Sequence, residues 1–435
     1  MTPYNINMFD VEKVRKDFPI LKRKIHGHDL VFLDSGATSQ KPESVIKAMD
    51  DFYRNTNANI HRGVYELSVE STRLVDEARG KVAEFIGARN EEIIFTRNAS
   101  ESLNLVMYSW GRDNIKSGDA VLCSKLEHHS NLVPWQELCR ETGAELRIID
   151  VDAEGKLKMS GAEVQSFEEN GLKVKLGSLE ALVDDKVKLF AVTGASNVLG
   201  TLPDLETMIG TIKSKSNNLT ILIDASQMVP HMKVDVKTLG ADFVVFSGHK
   251  MMGPTGTGVL WGKKEILSKM RPFLFGGDMI GEVKITGATW ADLPSRFEAG
   301  TPDIAGIIGL GAAVDYLEKL GMENVRLHEK ELIKYALEKM SVLEKEGLVV
   351  IYGLRGVEDR GGALAFNVIG VHPHDAAQIL DNFGIAVRSG QHCAAPLVTG
   401  FGVPAMVRAT FYVYNTKEEI DYLINKIKEV PKVFA

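Results

Sequence analysis

From Glu91 to Asp150 the chain alternates short apolar runs with amphipathic ones: EEIIFT, SESLNLVMYSW, DAVLCS, NLVPWQELCRETG and AELRIID. Strands separated by helix-length segments cannot pair through tight hairpins. They line up in parallel, with the crossovers packed on both faces of the sheet. Further apolar runs at Val187 to Val192, Leu219 to Ile223, Phe243 to Phe246 and Gly258 to Trp261 extend the same sheet. The expected fold class is therefore α/β with a mostly parallel sheet.

The pattern changes after Gly300. Two long amphipathic stretches, GIIGLGAAVDYLEKLG and MENVRLHEKELIKYALEKMSVLEKEG, precede the strand-like runs LVVIYG, ALAFNVIG, GIAVRS and MVRATFYV and a last helix from Lys417 to Lys428. At 435 residues the chain has room for two or three domains. We expect an N-terminal arm over 1–30 packing with the small domain, a large domain over 31–302, and a smaller α+β domain over 303–435. The two domains should meet along a cleft. The polar segment Ser160 to Ser178 has little periodicity and reads as a surface insertion without catalytic residues.

Hydrophobic residues make up 44% of the chain, and the net charge is −7. That balance gives no basic footprint for nucleic acid and no polybasic membrane patch. The N-terminus, MTPYNINMFDVEKVRKDFP, lacks a cationic segment followed by an apolar core, and no run reaches a membrane span of ~18 apolar residues. A cytoplasmic location is expected. Three cysteines, Cys123, Cys139 and Cys393, do not make a disulfide framework and point to free thiols.

Five clusters carry chemistry. In FVVFSGHKMMGPTGTG, Lys250 stands between an apolar strand and a glycine-rich turn, after Ser247, Gly248 and His249. An amine placed there is either an ordinary strand-end lysine or one that condenses with a carbonyl cofactor. Asp224, closing LTILID, lies at the carboxyl end of a parallel strand, where open sheets bind ligands. It either caps the next segment or pairs with the pyridinium nitrogen of pyridoxal phosphate, with Gln227 donating to the ring's phenolic oxygen. Asn98, Ala99 and Ser100 open a helix, as a plain cap or as an anion site that Ser247 and His249 complete. Glu127, His128 and His129 lie at the next junction. There a histidine stacks on a planar ring or is merely structural, and no ligand spacing suggests a metal.

The last cluster runs from Arg388 to Pro396, with Arg408 nearby. Cys393, in a Gly/Pro-bounded loop flanked by arginine and histidine, has surroundings that favour thiolate, whereas Cys123 and Cys139 fall in apolar patterns and read as core. Arg408 either holds a substrate carboxylate through paired hydrogen bonds or neutralises a structural acid.

With these pieces in order, the chain resembles the cysteine desulfurases of the SufS type (group II), in the class V aminotransferase family of pyridoxal-phosphate enzymes of fold type I. The resemblance runs from Phe18 to the last helix and rests on FLDSGATSQKP, NIHRGVYELS, LEHHSNLVPWQ, SNVLGT, FSGHK, GPTGTG, RFEAGTP and RSGQHCAAP. It implies a large domain with a seven-stranded sheet, Lys250 linked to the cofactor, His128 on the ring, Asp224 at the ring nitrogen and Gln227 at the phenolic oxygen. Ala99, Ser100, Ser247 and His249 would surround the phosphate, and Thr301 would reach the cofactor phosphate of a second subunit in a homodimer. Asn197, Arg388 and Arg408 would bind L-cysteine, with Arg408 on its carboxylate. Cys393 would take the sulfur as a persulfide and pass it to an acceptor protein of the SUF iron–sulfur system, and His128 would donate protons in later steps. Gln391, Ala99 and the filling of DASQ depart from the usual pattern. The competing readings are a selenocysteine lyase or another pyridoxal-phosphate lyase or aminotransferase, and a non-enzymatic sulfur carrier or scaffold. Retention of Lys250 together with Asp224 argues against the last.

Overall fold

A computed structural model describes residues 10–161, 163–216 and 219–434. The expected arm is described from residue 10, and its residues 1–9 lie outside the described residues. The large sheet is built from β1 (Ile93–Thr96), β2 (Ala120–Ser124), β3 (Glu145–Ile149), β4 (Gln165–Glu169), β5 (Leu172–Gly177), β6 (Val187–Thr193), β7 (Thr220–Asp224), β8 (Phe243–Ser247) and β9 (Gly258–Gly262). Their spatial order is β1-β9-β8-β7-β6-β2-β3-β5-β4. β9 runs antiparallel to both β1 and β8, and β4 antiparallel to β5; every other neighbouring pair is parallel. The reversal is shown directly by the pairing of Ser247 with Gly258.

The central strands read as continuous apolar runs because both of their faces are covered. Val121, Cys123, Leu189, Ala191, Leu222 and Val245 enter one apolar cluster, while Leu122, Phe190, Val192, Ile223 and Val244 enter the other. Each such Val, Leu, Ile or Phe side chain, taken fully out of water, contributes ~1.5–3 kcal/mol.

The sheet has nine strands rather than the seven expected. The extra pair is the segment that sequence patterning read as a surface insertion. β4 and β5 form a hairpin around Asn170 and Gly171, both in the left-handed region at φ +50° and +76°. Asn-Gly is the residue pair that a two-residue hairpin turn favours, because both central positions need positive φ. The hairpin joins the sheet through parallel pairing of β5 with β3, and β4 is exposed along its whole length.

The C-terminal region contains a four-stranded antiparallel sheet in the order Val349–Tyr352, Ala363–Val368, Met406–Thr410, Arg388–Gly390. Its apolar side packs against the helices Met322–Lys345, Pro373–Asp381 and Lys417–Ile427. The run GIAVRS, expected as one strand, divides. Ile385–Ala386 pairs in parallel with Val31–Phe32, whereas Arg388–Gly390 pairs with Met406–Thr410. Helix Ile304–Leu320, assigned from the sequence to the second domain, buries Ile307, Leu310, Val314 and Leu317 in the same cluster as β6, β7 and β8. The next helix, Met322–Lys345, still places Met322 and Val325 in that cluster and turns to the C-terminal one from Leu332.

Candidate active site

The ends of the parallel strands converge on a cavity of about 350 Å³. β1 delivers Asn98, Ala99 and Ser100; β2 delivers His128; β7 delivers Asp224; β8 delivers Ser247, His249 and Lys250. The C-terminal region supplies Arg388, Cys393 and Arg408, and the loop after β6 supplies Asn197. Residues as far apart in sequence as Asn98 and Arg408 thus line one space, because strand ends of a parallel sheet share an edge.

At one end lies the start of helix Ala99–Val106. Asn98 caps it by accepting from the Glu101 N–H at 2.9 Å, and the Ala99 N–H donates to Ser247 Oγ at 2.9 Å. Ser100 Oγ lies 2.5 Å from Ser130 Oγ, the two hydroxyls side by side. Gly258 lets β9 pass beneath this helix start: a Cβ there would lie 2.4 Å from Asn98 Cα. Hydroxyls and a helix N-terminus on one wall suit a phosphate.

In the middle, Asp224 is buried, with Oδ1 accepting from the Ser226 N–H at 3.0 Å. Burial lowers the Lys250 pKa and Arg408 lowers it further, while Asp224 and Cys393 work in the opposite direction. The same burial, helped by the Lys250 charge, pulls His128 down to about 4 and His249 to about 4. A lysine with a depressed pKa and two neutral imidazoles is the state a carbonyl-condensing amine needs.

The loop Thr38–Lys41 fixes the main chain behind Lys250. The His249 carbonyl accepts from the Ser39 N–H, the Thr38 and Ser39 hydroxyls and Lys41 Nζ, at 3.0 to 3.1 Å. Behind His128, the buried carboxyl of Glu127 accepts from Ser124 Oγ, Asn131 Nδ2 and the Thr193 N–H, and burial pushes it up to about 8.

The far end is cationic. Arg408 is 2% exposed and donates to the Asn197 carbonyl at 2.7 Å and to Asp34 at 3.1 Å, while its Nε has no partner. Arg388 grips the same Asp34 through Nε and Nη2 at 2.8 to 3.1 Å. Two guanidiniums on one carboxylate leave a net positive charge facing the cavity, which suits a second carboxylate. Asp34 was not singled out from the sequence, although it sits in the quoted run FLDSGATSQKP. Cys393 is exposed at this end, whereas Cys123 and Cys139 are buried.

Two expected residues stand apart from the cavity. The Gln227 amide donates to the Gly36 carbonyl at 2.6 Å. Thr301 is exposed and lines a different surface depression beside Arg97, Leu274 and Asp303. His129 Nε2 accepts from the Ala395 N–H at 2.9 Å.

The donor set fits pyridoxal phosphate: a phosphate wall, a carboxylate for the ring nitrogen, a histidine for the ring face and an amine for the carbonyl. Fold and site together define a pyridoxal-phosphate enzyme of fold type I. Residues 31–423 match the family model for class-V aminotransferases, and the chain belongs to that family. A cysteine desulfurase of Haloferax volcanii is 44% identical over 440 residues, covering 98% of either chain. A probable cysteine desulfurase of Streptomyces coelicolor is 45% identical over 434 residues, covering 98% of this chain and 99% of its own. Among solved structures, the apo cysteine desulfurase from Thermococcus onnurineus NA1 superposes with a TM-score of 0.88 at 40% identity, covering 97% and 98% of the two chains. A cysteine desulfurase from Escherichia coli gives 0.84 at 34% identity, covering 98% and 100%.

Proposed function

We propose that this chain is a pyridoxal-phosphate-dependent cysteine desulfurase that converts L-cysteine to L-alanine and carries the sulfur on Cys393. The observation that carries the reading is the placement of one exposed thiol in the same cavity as Lys250 and Asp224. Lys250 would hold the cofactor through its amine, Asp224 its ring nitrogen, His128 its ring face, and Ser100, Ser247 and His249 its phosphate. When bound, the cofactor withdraws electrons from the substrate's α-carbon and so weakens the bonds at Cα and Cβ.

The protein's own groups do the rest. Arg408, with its free Nε, and Arg388 orient the substrate carboxylate, and Asn197 fixes the Arg408 guanidinium. Lys250, kept unprotonated by burial, takes the Cα proton. Cys393 Sγ, as thiolate, attacks the substrate sulfur: the S–S bond forms, the Cβ–S bond breaks, and its electron pair stays with the substrate carbon. Protonation at Cβ and Cα then gives L-alanine, and the sulfane sulfur stays on Cys393. Burial keeps His128 neutral at pH 7, which favours a ring-stacking role over that of a resident acid.

The exposure of Cys393 supports transfer of its sulfur to a separate acceptor protein, for which the SUF iron–sulfur system is our assignment. Thr301, exposed and outside its own chain's cavity, supports a homodimer in which it serves the site of the second copy. Among the described residues no helix is long and apolar enough to cross a membrane. We place the enzyme in the cytoplasm.

The test supplies purified protein with L-cysteine and a reductant and quantifies alanine and sulfide. Wild type should make both, and Lys250→Ala neither. Full desulfurase turnover by Cys393→Ala would remove the persulfide from the mechanism.

A further inference from the structure

The loop that carries Cys393 is held in a conformation that its own residues disfavour. His392 and Cys393 are consecutive non-glycine residues in the left-handed region, at φ +52° and +55°. A Cβ in that region crowds the following carbonyl, so two in succession persist only when their surroundings fix them. From its own region the loop receives two ties, His392 Nε2 to the Met406 carbonyl at 2.9 Å and the Ala394 N–H to the Gln391 carbonyl at 2.9 Å. The other three come from the large sheet. Asn197 Nδ2 donates to the His392 carbonyl at 2.7 Å, and the His129 main-chain N–H donates to the Cys393 carbonyl at 2.6 Å. The His129 ring then accepts from the Ala395 N–H at 2.9 Å.

His129 thus brackets the cysteine with one bond on its own carbonyl and one just beyond it. Its ring does not line the cavity. Accepting through Nε2 requires an imidazole with its proton on Nδ1, and partial burial, which lowers the His129 pKa, favours that neutral form. His128, its neighbour in sequence, turns inward to the cavity. One strand-to-helix junction therefore faces the cofactor site with one histidine and the sulfur-carrying loop with the next.

We infer that His129 is the positioning residue for sulfur transfer: it docks the Cys393 loop on the large domain so that Sγ meets the substrate sulfur, without touching substrate or cofactor. The inference rests on the reading of Cys393 as sulfur acceptor. Misplacement of a reacting group by about 1 Å costs ~10²-fold in rate, and loss of docking acts on the sulfur-transfer step alone.

The experiment uses the cofactor-loaded enzyme in three forms, wild type, His129→Leu and His129→Gln, with Cys393→Ala as control. Single-turnover persulfide formation is followed by mass spectrometry, KM for L-cysteine is measured, and Cys393 alkylation by iodoacetamide is timed without substrate. His129→Leu should slow persulfide formation ~10²-fold at unchanged KM and unchanged cofactor absorption, with a faster alkylation rate. His129→Gln, whose Oε1 can accept from the Ala395 N–H, should recover most of the rate. Wild-type persulfide formation by His129→Leu overturns the inference. So does equal slowing in both variants with alkylation unchanged, which marks a folding role. A Cys393→Ala protein that still turns over fully overturns the parent reading instead.

Discussion

Asp34 stands between two arginines, and replacing it with asparagine isolates what that carboxylate does. The side chain keeps its shape and one acceptor oxygen, so the change is chiefly one of charge. Arg388 is 49% exposed, and an ion pair in that setting is worth only ~0.5–1 kcal/mol. Arg408 is 2% exposed, and removing one partner of a buried pair costs ~3–5 kcal/mol because the other charge is left stranded. Asp34 itself is 14% exposed and the asparagine oxygen remains, so we take the lower end, a loss of about 3–4 kcal/mol in total. A 435-residue chain has an unfolding entropy of about 0.9 kcal/mol/K, which makes the expected drop in Tm about 3–4 °C. The charge count adds a second expectation. In wild type the two guanidiniums and Asp34 sum to +1, which one substrate carboxylate neutralises; in Asp34→Asn the sum is +2. The product L-alanine should therefore raise the Tm of the variant by more than it raises that of wild type. Differential scanning fluorimetry across a series of L-alanine concentrations reads both effects. An unchanged Tm in the variant, or equal stabilisation of the two proteins by L-alanine, would refute the charge argument.

Glu127 predicts a pH dependence. Its folded pKa, about 8, lies above the ordinary 4.5, so the folded protein keeps a proton that the unfolded chain has lost between those values. The stability it contributes is fully present below pH 4.5 and is lost as pH rises through 8, a change of ~3–5 kcal/mol. Glu127→Gln should remove that slope, and denaturant titrations at pH 5 and pH 8 check it; parallel slopes in both proteins count against it. Gly258→Ala places a methyl group 2.4 Å from Asn98 Cα, in contact with backbone that has no rotamer to move. It should cost ~1–3 kcal/mol and weaken cofactor retention, measured by absorbance after dialysis. Retention equal to wild type would show that the helix start does not bear on the phosphate.

The parallel sheet was legible because β2, β6, β7 and β8 are apolar on both faces, a pattern that few other arrangements produce. Residues that line the cavity were legible where strand ends carry them, as with Asp224, Lys250 and His128. The hairpin β4–β5 escaped periodicity because its outer strand buries nothing, yet its Asn170-Gly171 turn was a readable signal. Asp34 was missed for a different reason. It sits in a short segment with no periodicity, and its importance lies in arginines 354 and 374 residues away. Gln227 shows the limit from the other side: its type and spacing suggest a cofactor contact, but its hydrogen bond to the Gly36 carbonyl, 191 residues away, could not be read from the sequence.

The hairpin β4–β5 also changes what the sheet offers to other molecules. Without it the open edge would be β3, ELRII, whose Leu146 and Ile149 are buried. An unprotected apolar edge is a template on which a second chain can add a strand, and so a starting point for aggregation. With the hairpin in place the outermost strand is Gln165–Glu169, fully exposed and ending in Glu168 and Glu169. Adjacent negative charges on an edge repel a like copy. A segment with no part in the chemistry thus acts as a guard on solubility, and trimming it to shorten the protein should leave turnover intact while making the protein prone to precipitate.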